Sequence, residues 1–139
     1  MQKTLIQKLA WSYAVLFALV VVLGPFTDVN QQGFTFGVFK LDPFIDTLHF
    51  ASMVWASFAA WYSVRYAIFY FRAFGTLYVL DGIIGLIVGK GFLGLEIFRQ
   101  VSSISDFSVR VVANTPHILI GGLALFVGFV MSRKFSARD

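Results

Sequence analysis

Four long apolar stretches, separated by polar connections, dominate the pattern of this chain. They cover residues 9–26, 47–64, 74–88 and 115–131, with up to one further turn expected before residue 74. About seventeen to twenty apolar residues form a helix that crosses a bilayer, so these spans are short and little tilt is expected. The pattern predicts an all-α membrane protein, a four-transmembrane-helix bundle in a single domain, residues 1–139.

The composition of the chain also indicates that the surface of the folded protein faces lipid. Hydrophobic residues make up 58% of the chain and charged residues 13%, about half the charged fraction of a soluble domain. No cysteine is present, which excludes disulfides, thiolate metal sites and cysteine nucleophiles. The longest basic run is Arg133-Lys134, so the net charge of +4 does not indicate binding to nucleic acid.

The first apolar stretch has one alternative interpretation. Lys3 and Lys8 precede it, as basic residues precede the core of a secretory signal. The GPFTDV that follows has no small-x-small cleavage pattern, so we expect the stretch to be retained as a helix.

Basic residues are unevenly distributed between the two ends of the predicted bundle. The N-terminus, the second connection and the tail carry seven, whereas the other two connections carry four, offset by five acidic residues. Because Lys and Arg favour the cytoplasmic side, both termini are predicted to be cytoplasmic, in the inner membrane of a prokaryote. The seven basic residues are Lys3, Lys8, Arg65, Arg72, Arg133, Lys134 and Arg138.

An internal duplication is visible when the chain is shifted by 68 positions, the interval from His49 to His117. The same shift lays residues 9–23 over 77–91 and aligns Asp46-Thr47 with Asn114-Thr115. Two helices return the chain to its starting side, so the repeats are predicted to be tandem, parallel helical hairpins of about 1–66 and 67–139.

With these motifs the chain resembles a family of small bacterial four-helix membrane proteins. That family opens its second and fourth helices with Asn/Asp-x-x-His, here Asp46-Thr47-Leu48-His49 and Asn114-Thr115-Pro116-His117, and residues 78–85 add to the likeness. The resemblance implies an architecture and no activity. Asp81 is a departure, because an aliphatic residue is more usual there.

The two histidines, the only ones in the chain, have two interpretations. In the first, Asp46 and Asn114 are N-caps, Pro116 lies in the first helical turn, and His49 and His117 complete capping boxes. In the second, Asp46, His49, Asn114 and His117 form a paired polar site. Such a site has three alternatives: a haem held by both imidazoles with Gly121 and Gly122 giving room, a divalent metal, or a site for pH sensing or proton relay. Asn114 is a poor metal ligand and only one carboxylate is supplied, which disfavours a metal. The histidines are expected at the membrane edge and no second motif supports haem, so no cofactor is predicted.

Asp81 lies near the middle of the third stretch and is the strongest single candidate for function. An ionised carboxylate there costs about 2.5–3.5 kcal/mol on insertion scales, so it should face the bundle interior with a partner or a proton. The 68-position shift aligns it with Tyr13, which makes Tyr13 or the neighbouring Ser12 a candidate partner. Asp81 is then either a buried, hydrogen-bonded acid that fixes helix packing or, with Tyr13, a candidate proton or ion site. Arg72 is nine residues away along the chain and is not expected to pair with it.

Small residues and the outer connections complete the pattern. Ala10, Ala14 and Ala18, and Gly85 with Gly89, have the small-xxx-small spacing of helix packing. Residues 33–41 alternate large apolar with small or polar residues, which favours either a short strand or an aromatic surface on the outer leaflet. Residues 102–112 alternate in the same way from Phe107 onward, so the two segments are expected to pair over the bundle.

No catalytic motif is recognisable, so no enzymatic activity is predicted. The leading hypothesis is a non-catalytic structural or accessory membrane subunit, either homo-oligomeric or part of a larger membrane complex. The alternatives are a proton- or ion-coupled transporter or channel that uses Asp81 with His49 and His117, and a haem-binding membrane protein.

Overall fold

The computed structural model describes residues 4–26 and 43–136, and within those ranges the chain is helical, without strands. A 3-10 turn, Gly24–Phe26, follows the first helix, and another, Glu96–Phe98, lies in the connection between the third and fourth. A π-helical turn, Phe126–Met131, continues the fourth helix and is followed by a short α5, Arg133–Ser136. The four long helices are α1 (Leu5–Leu23), α2 (Pro43–Tyr62), α3 (Val64–Val88) and α4 (Phe107–Leu125).

Three helical segments are long and apolar enough to cross a membrane: Leu5–Phe26, Val64–Val88 and Phe107–Phe135. These segments confirm the all-helical, membrane-protein prediction. The α2 helix, with 20 residues, is not among them, because Asp46, His49 and Ser52 dilute its apolar content.

The helices are paired as two antiparallel hairpins, α1 with α2 and α3 with α4. In the first hairpin, the Gln7 side chain donates to the carbonyl of Ala60 at 3.2 Å. Buried alanines occur on both helices: Ala10 and Ala14 on α1, and Ala56, Ala59 and Ala60 on α2. The predicted packing inside the bundle is therefore confirmed for Ala10 and Ala14, whereas Ala18 is only partly buried.

Glycines line the interface between α3 and α4. A Cβ added at Gly75 would lie 2.8 Å from the carbonyl oxygen of Gly121, so the two backbones are in direct contact there. Gly85 is covered by the Asn114 side chain. Gly89 has a different role from the predicted one, because it ends α3 in the left-handed conformation with φ 77°.

The predicted N-caps are wrong. α4 begins at Phe107, seven residues before Asn114, with Asp106 as the N-cap accepting from the amides of Ser108 and Val109. Asp46 lies in the first turn of α2, inside a helix that already begins at Pro43. His49 and His117 therefore lie within helices and not in capping boxes.

Pro116 lies inside α4, although the sequence suggested a helix start. Proline removes one backbone donor. Neighbouring polar side chains bind carbonyls of the preceding turn: Asn114 donates to Arg110 at 2.8 Å and Thr115 to Val111 at 2.6 Å. Neither bond reaches the carbonyl of Val112, which is the one that loses its helical donor to Pro116.

The second of the two predicted strands, residues 102–112, is not a strand in the structure. Residues 107–112 belong to α4, because Asp106 starts a helix in the middle of the alternating pattern. Residues 33–41 lie outside the described residues.

The predicted absence of a pair between Arg72 and Asp81 is confirmed. The Arg72 guanidinium donates to the carbonyl of Gly128 at 2.7 Å, within the π-helical turn. The Ser132 hydroxyl donates to the same carbonyl at 2.6 Å. Arg72 therefore stabilises the end of the bundle opposite to Asp81.

Candidate functional site

Asp81 is buried in the interior of the bundle, with 2% of its surface exposed. It lies seven residues before the end of α3 at Val88, roughly 10 Å along a helix. An acid in such surroundings needs hydrogen-bond donors if it carries a charge.

The connection between α3 and α4 (residues 89–106) folds back to supply two of these donors. The backbone amides of Phe92 and Leu93 donate to Asp81 Oδ1 at 2.7 and 2.8 Å. Gly91 allows this approach, since a Cβ there would lie 3.0 Å from the same oxygen. The Asp81 carboxylate thus fixes the connection to α3.

His117 of α4 takes the other carboxylate oxygen. Its Nδ1 lies 2.6 Å from Asp81 Oδ2. The imidazole is 23% exposed, whereas Asp81 is 2% exposed, so the ring lies between the buried acid and the surface. An aspartate in this position fixes both the orientation of an imidazole and the nitrogen that carries its proton.

His49 of α2 has different surroundings. Its ring stacks on Phe17 at 5.9 Å, with 25° between the planes, and 5% of its surface is exposed. Its Nδ1 is buried and has no hydrogen-bond partner in the described part of the chain.

Tyr78 lies between these groups. Its ring meets His117 edge-on at 5.1 Å, and its hydroxyl is 2.8 Å from the Ser52 hydroxyl. It also stacks on Phe74 at 4.1 Å, so the site rests directly on the aromatic interior of the bundle.

The remaining predicted site residues are placed separately. The Tyr13 hydroxyl donates to the Ile120 carbonyl at 2.8 Å, so the structure gives Asp81 a partner other than Tyr13. Asn114 packs on Gly85 and donates within its own helix. Asp46 lies in the first turn of α2.

The structure thus unites one residue from each predicted site, Asp81 and His117. No group of three or more His, Cys, Asp or Glu close enough to hold a metal ion occurs in residues 4–26 and 43–136. The metal alternative joined Asp46, His49, Asn114 and His117 around one ion, and the three of these residues that bind metals well do not form such a group.

The signal that points to this pair lies in the hairpin itself. Residues 81 and 117 are equally far from residue 99, within the connection, so an antiparallel hairpin places them at the same level. The internal repeat drew attention to Tyr13 instead, because it compares equivalent positions of two hairpins and not facing positions of one.

No family model, curated protein or solved structure matches this chain.

Proposed function

We propose that this chain is a small non-catalytic membrane protein, a structural or accessory subunit of a prokaryotic cytoplasmic membrane. The observation that supports this proposal is that the buried Asp81 carboxylate has all its contacts within the protein. The Asp81 carboxylate accepts from Phe92 and Leu93 and pairs with His117, so it joins α3, α4 and their connection. These contacts give it a structural task.

The packing of the interior supports a role without solute passage. Aromatic rings of α1 and α3 fill the space between the helices, and their centroids are separated by 4.1 to 6.3 Å. A solute pathway would require these rings to separate. They belong to Tyr13, Phe17, Tyr70, Phe71, Phe74 and Tyr78.

Four spans with both termini in the cytoplasm form part of the proposal. Two features support α2 as the fourth span: its antiparallel contact with α1, and exposed apolar side chains such as Phe50 and Val54. The end of the bundle near the α2–α3 junction carries, among the described residues, basic side chains without an acid, as the cytoplasmic side does. These are Lys8, Arg65, Arg72, Arg133 and Lys134.

Tandem repeats are supported by the buried small residues. Under the 68-position shift Ala56 aligns with Ala124, both fully buried. Ala14 aligns with Gly82, and each of the two lies at a helix interface. The same shift places α1 on α3 and α2 on α4. The resemblance to bacterial four-helix membrane proteins remains a prediction.

Gentle purification followed by reconstitution tests the proposal. We expect either a stoichiometric partner protein or a defined homo-oligomer, and no proton flux into liposomes above the protein-free background. A monomer that has no partner and conducts protons, with the flux abolished in Asp81→Asn, would contradict it.

Proton- or ion-coupled transport is the second candidate, and the 2.6 Å contact between Asp81 and His117 favours it, because paired ionisable groups inside membranes often carry protons. The same flux experiment decides between the two. A haem-binding role is third, and a Soret band that is lost in a His49→Ala/His117→Ala double variant would support it.

A further inference from the structure

The two nitrogens of the His117 imidazole have unequal surroundings. Nδ1 is held by Asp81 Oδ2 at 2.6 Å, whereas Nε2 makes no hydrogen bond with any described part of the chain. A carboxylate beside Nδ1 keeps a proton on that nitrogen. The lone pair of the neutral ring then lies on Nε2, on a side chain that is 23% exposed.

The titratable groups of the surrounding elements, other than Asp81, make no hydrogen bond or ion pair with the ring in the described part of the chain. From α3, Tyr78 meets the ring by its edge, and α1 contributes Phe17 to the same cluster. In the connection, Glu96 accepts from the amide of Gly91 at 3.0 Å, and Lys90 makes no recorded contact with the ring in the described chain. On α4, Arg110 donates to the carbonyls of the connection and of α3. From α2, His49 is the one remaining base.

His49 is unsuited to hold a proton. It is 5% exposed, it stacks on Phe17, and no carboxylate touches it in the described residues. An isolated positive charge in such an apolar interior is expensive. Of the two histidines, His117 is therefore the one that has a carboxylate beside it and a ring nitrogen, Nε2, without a hydrogen-bond partner in the described chain.

We propose that His117 is a proton-binding site, in which Nε2 accepts one proton and Asp81 supplies the counter-charge. A hydronium ion gives its proton to the Nε2 lone pair and leaves as water. No protein bond breaks, and the Asp81–His117 pair changes from a net charge of −1 to zero. This binding activity goes beyond the structural role, because it changes the charge beneath the connection that Asp81 holds.

Nitrogen-15 NMR of the histidine side chains tests the site directly. The chain has two histidines, so a histidine-labelled protein in lipid nanodiscs gives two sets of ring signals, and a His49→Gln variant assigns them. Between about pH 9 and about pH 4 we expect His117 to change from a neutral ring protonated on Nδ1 to one protonated on both nitrogens. His49 should stay neutral. A neutral His117 ring that carries its proton on Nε2, or one that does not titrate in this range, would overturn the proposal.

An Asp81→Asn variant tests the counter-charge. A carboxamide has the same shape and can turn its oxygen to the amides of Phe92 and Leu93 and its NH2 group to His117 Nδ1. We expect the neutral ring to move its proton to Nε2, with the exchange protection of both amides retained within about threefold. Unchanged tautomer and titration in a folded Asp81→Asn protein would contradict the role of Asp81. If this variant does not fold, the wild-type spectra still decide whether Nε2 binds the proton.

Discussion

The two hairpins place a histidine at corresponding positions and give it opposite surroundings. Residues 17 and 49 are equally far from residue 33, just as 81 and 117 are from 99. In the first hairpin His49 therefore meets the ring of Phe17, and in the second His117 meets the carboxylate of Asp81. The Asn/Asp-x-x-His motif is shared by both hairpins, so it does not determine the surroundings of the imidazole. The residue that faces the ring determines whether the imidazole stacks on an aromatic side chain or makes a hydrogen bond to a carboxylate.

The two hairpins also differ in the small residues that are buried along their helices. Buried alanines lie on α1 and α2, whereas glycines let the backbones of α3 and α4 touch. In the second of these interfaces the short Asp81 side chain reaches His117 directly, with Oδ2 2.6 Å from Nδ1. The acid–imidazole pair thus lies in the hairpin whose helix backbones are in contact at the glycine positions.

Removal of the carboxylate should have the largest effect. In Asp81→Leu the amides of Phe92 and Leu93 and the Nδ1 group of His117 lose their acceptor. Breaking a buried pair in this way costs about 3–5 kcal/mol. Reversible unfolding in detergent, followed by tryptophan fluorescence, would measure the loss of free energy of unfolding.

The matched variant in the first hairpin is Phe17→Leu, which removes packing volume but no acceptor. We expect a smaller loss than in Asp81→Leu. Asp81→Asn, which keeps an acceptor for the amides, should also unfold later than Asp81→Leu. Equal losses in Asp81→Leu and Asp81→Asn would mean that the hydrogen bonds to the connection contribute little.

The close approach of α3 and α4 can be tested with one methyl group. In Gly75→Ala the new Cβ would lie 2.8 Å from backbone atoms of α4, so the helices must separate, at a cost of about 1–3 kcal/mol. Gly122 has nothing within 4 Å of a new Cβ. Gly122→Ala should therefore stabilise the helix by roughly 0.5–1 kcal/mol, and similar losses in both variants would contradict the contact.

Replacement of each histidine by phenylalanine should have different effects on the free energy of unfolding. His49→Phe removes a buried nitrogen that has no partner in the described chain, and we expect the free energy of unfolding to be unchanged or raised by about 1 kcal/mol. His117→Phe leaves Asp81 Oδ2 without its donor and should lower it by about 1–3 kcal/mol. The same unfolding assay measures both, and a loss in His49→Phe equal to that in His117→Phe would end the distinction.

Much of the architecture could be predicted from the sequence, because apolar length alone indicates membrane helices. The burial of Asp81 followed from the cost of a charge in lipid, and Ala10 and Ala14 were identified as packing residues by their spacing. These predictions depend on one residue and its solvent. They do not require the register between two helices.

The errors arose where two segments compete for the same role. Asn114 and Pro116 have the residue types of a helix start. However, Asp106 lies earlier in the chain, and its carboxylate accepts from the Ser108 hydroxyl and from two backbone amides, so α4 starts there. Tyr13 was paired with Asp81 because the repeat aligns them. A repeat identifies equivalent positions, whereas contacts follow from the fold of each hairpin, here from the length of the α3–α4 connection.

The smallest predicted effect concerns the extra turns that Asp106 gives to α4. The Ser108 hydroxyl, followed by the amides of Val109 and Ser108, lowers the pKa of the Asp106 carboxyl below its ordinary value. Because the folded pKa is lowered, the ionised cap stabilises the protein above the ordinary aspartate range, and this contribution is lost as the pH falls through the folded pKa. Asparagine caps a helix without a charge. The advantage of the wild type over Asp106→Asn in unfolding midpoint should therefore shrink between about pH 6 and about pH 3. A difference that stays constant over this range would mean that the charge of Asp106 does not contribute to the start of α4.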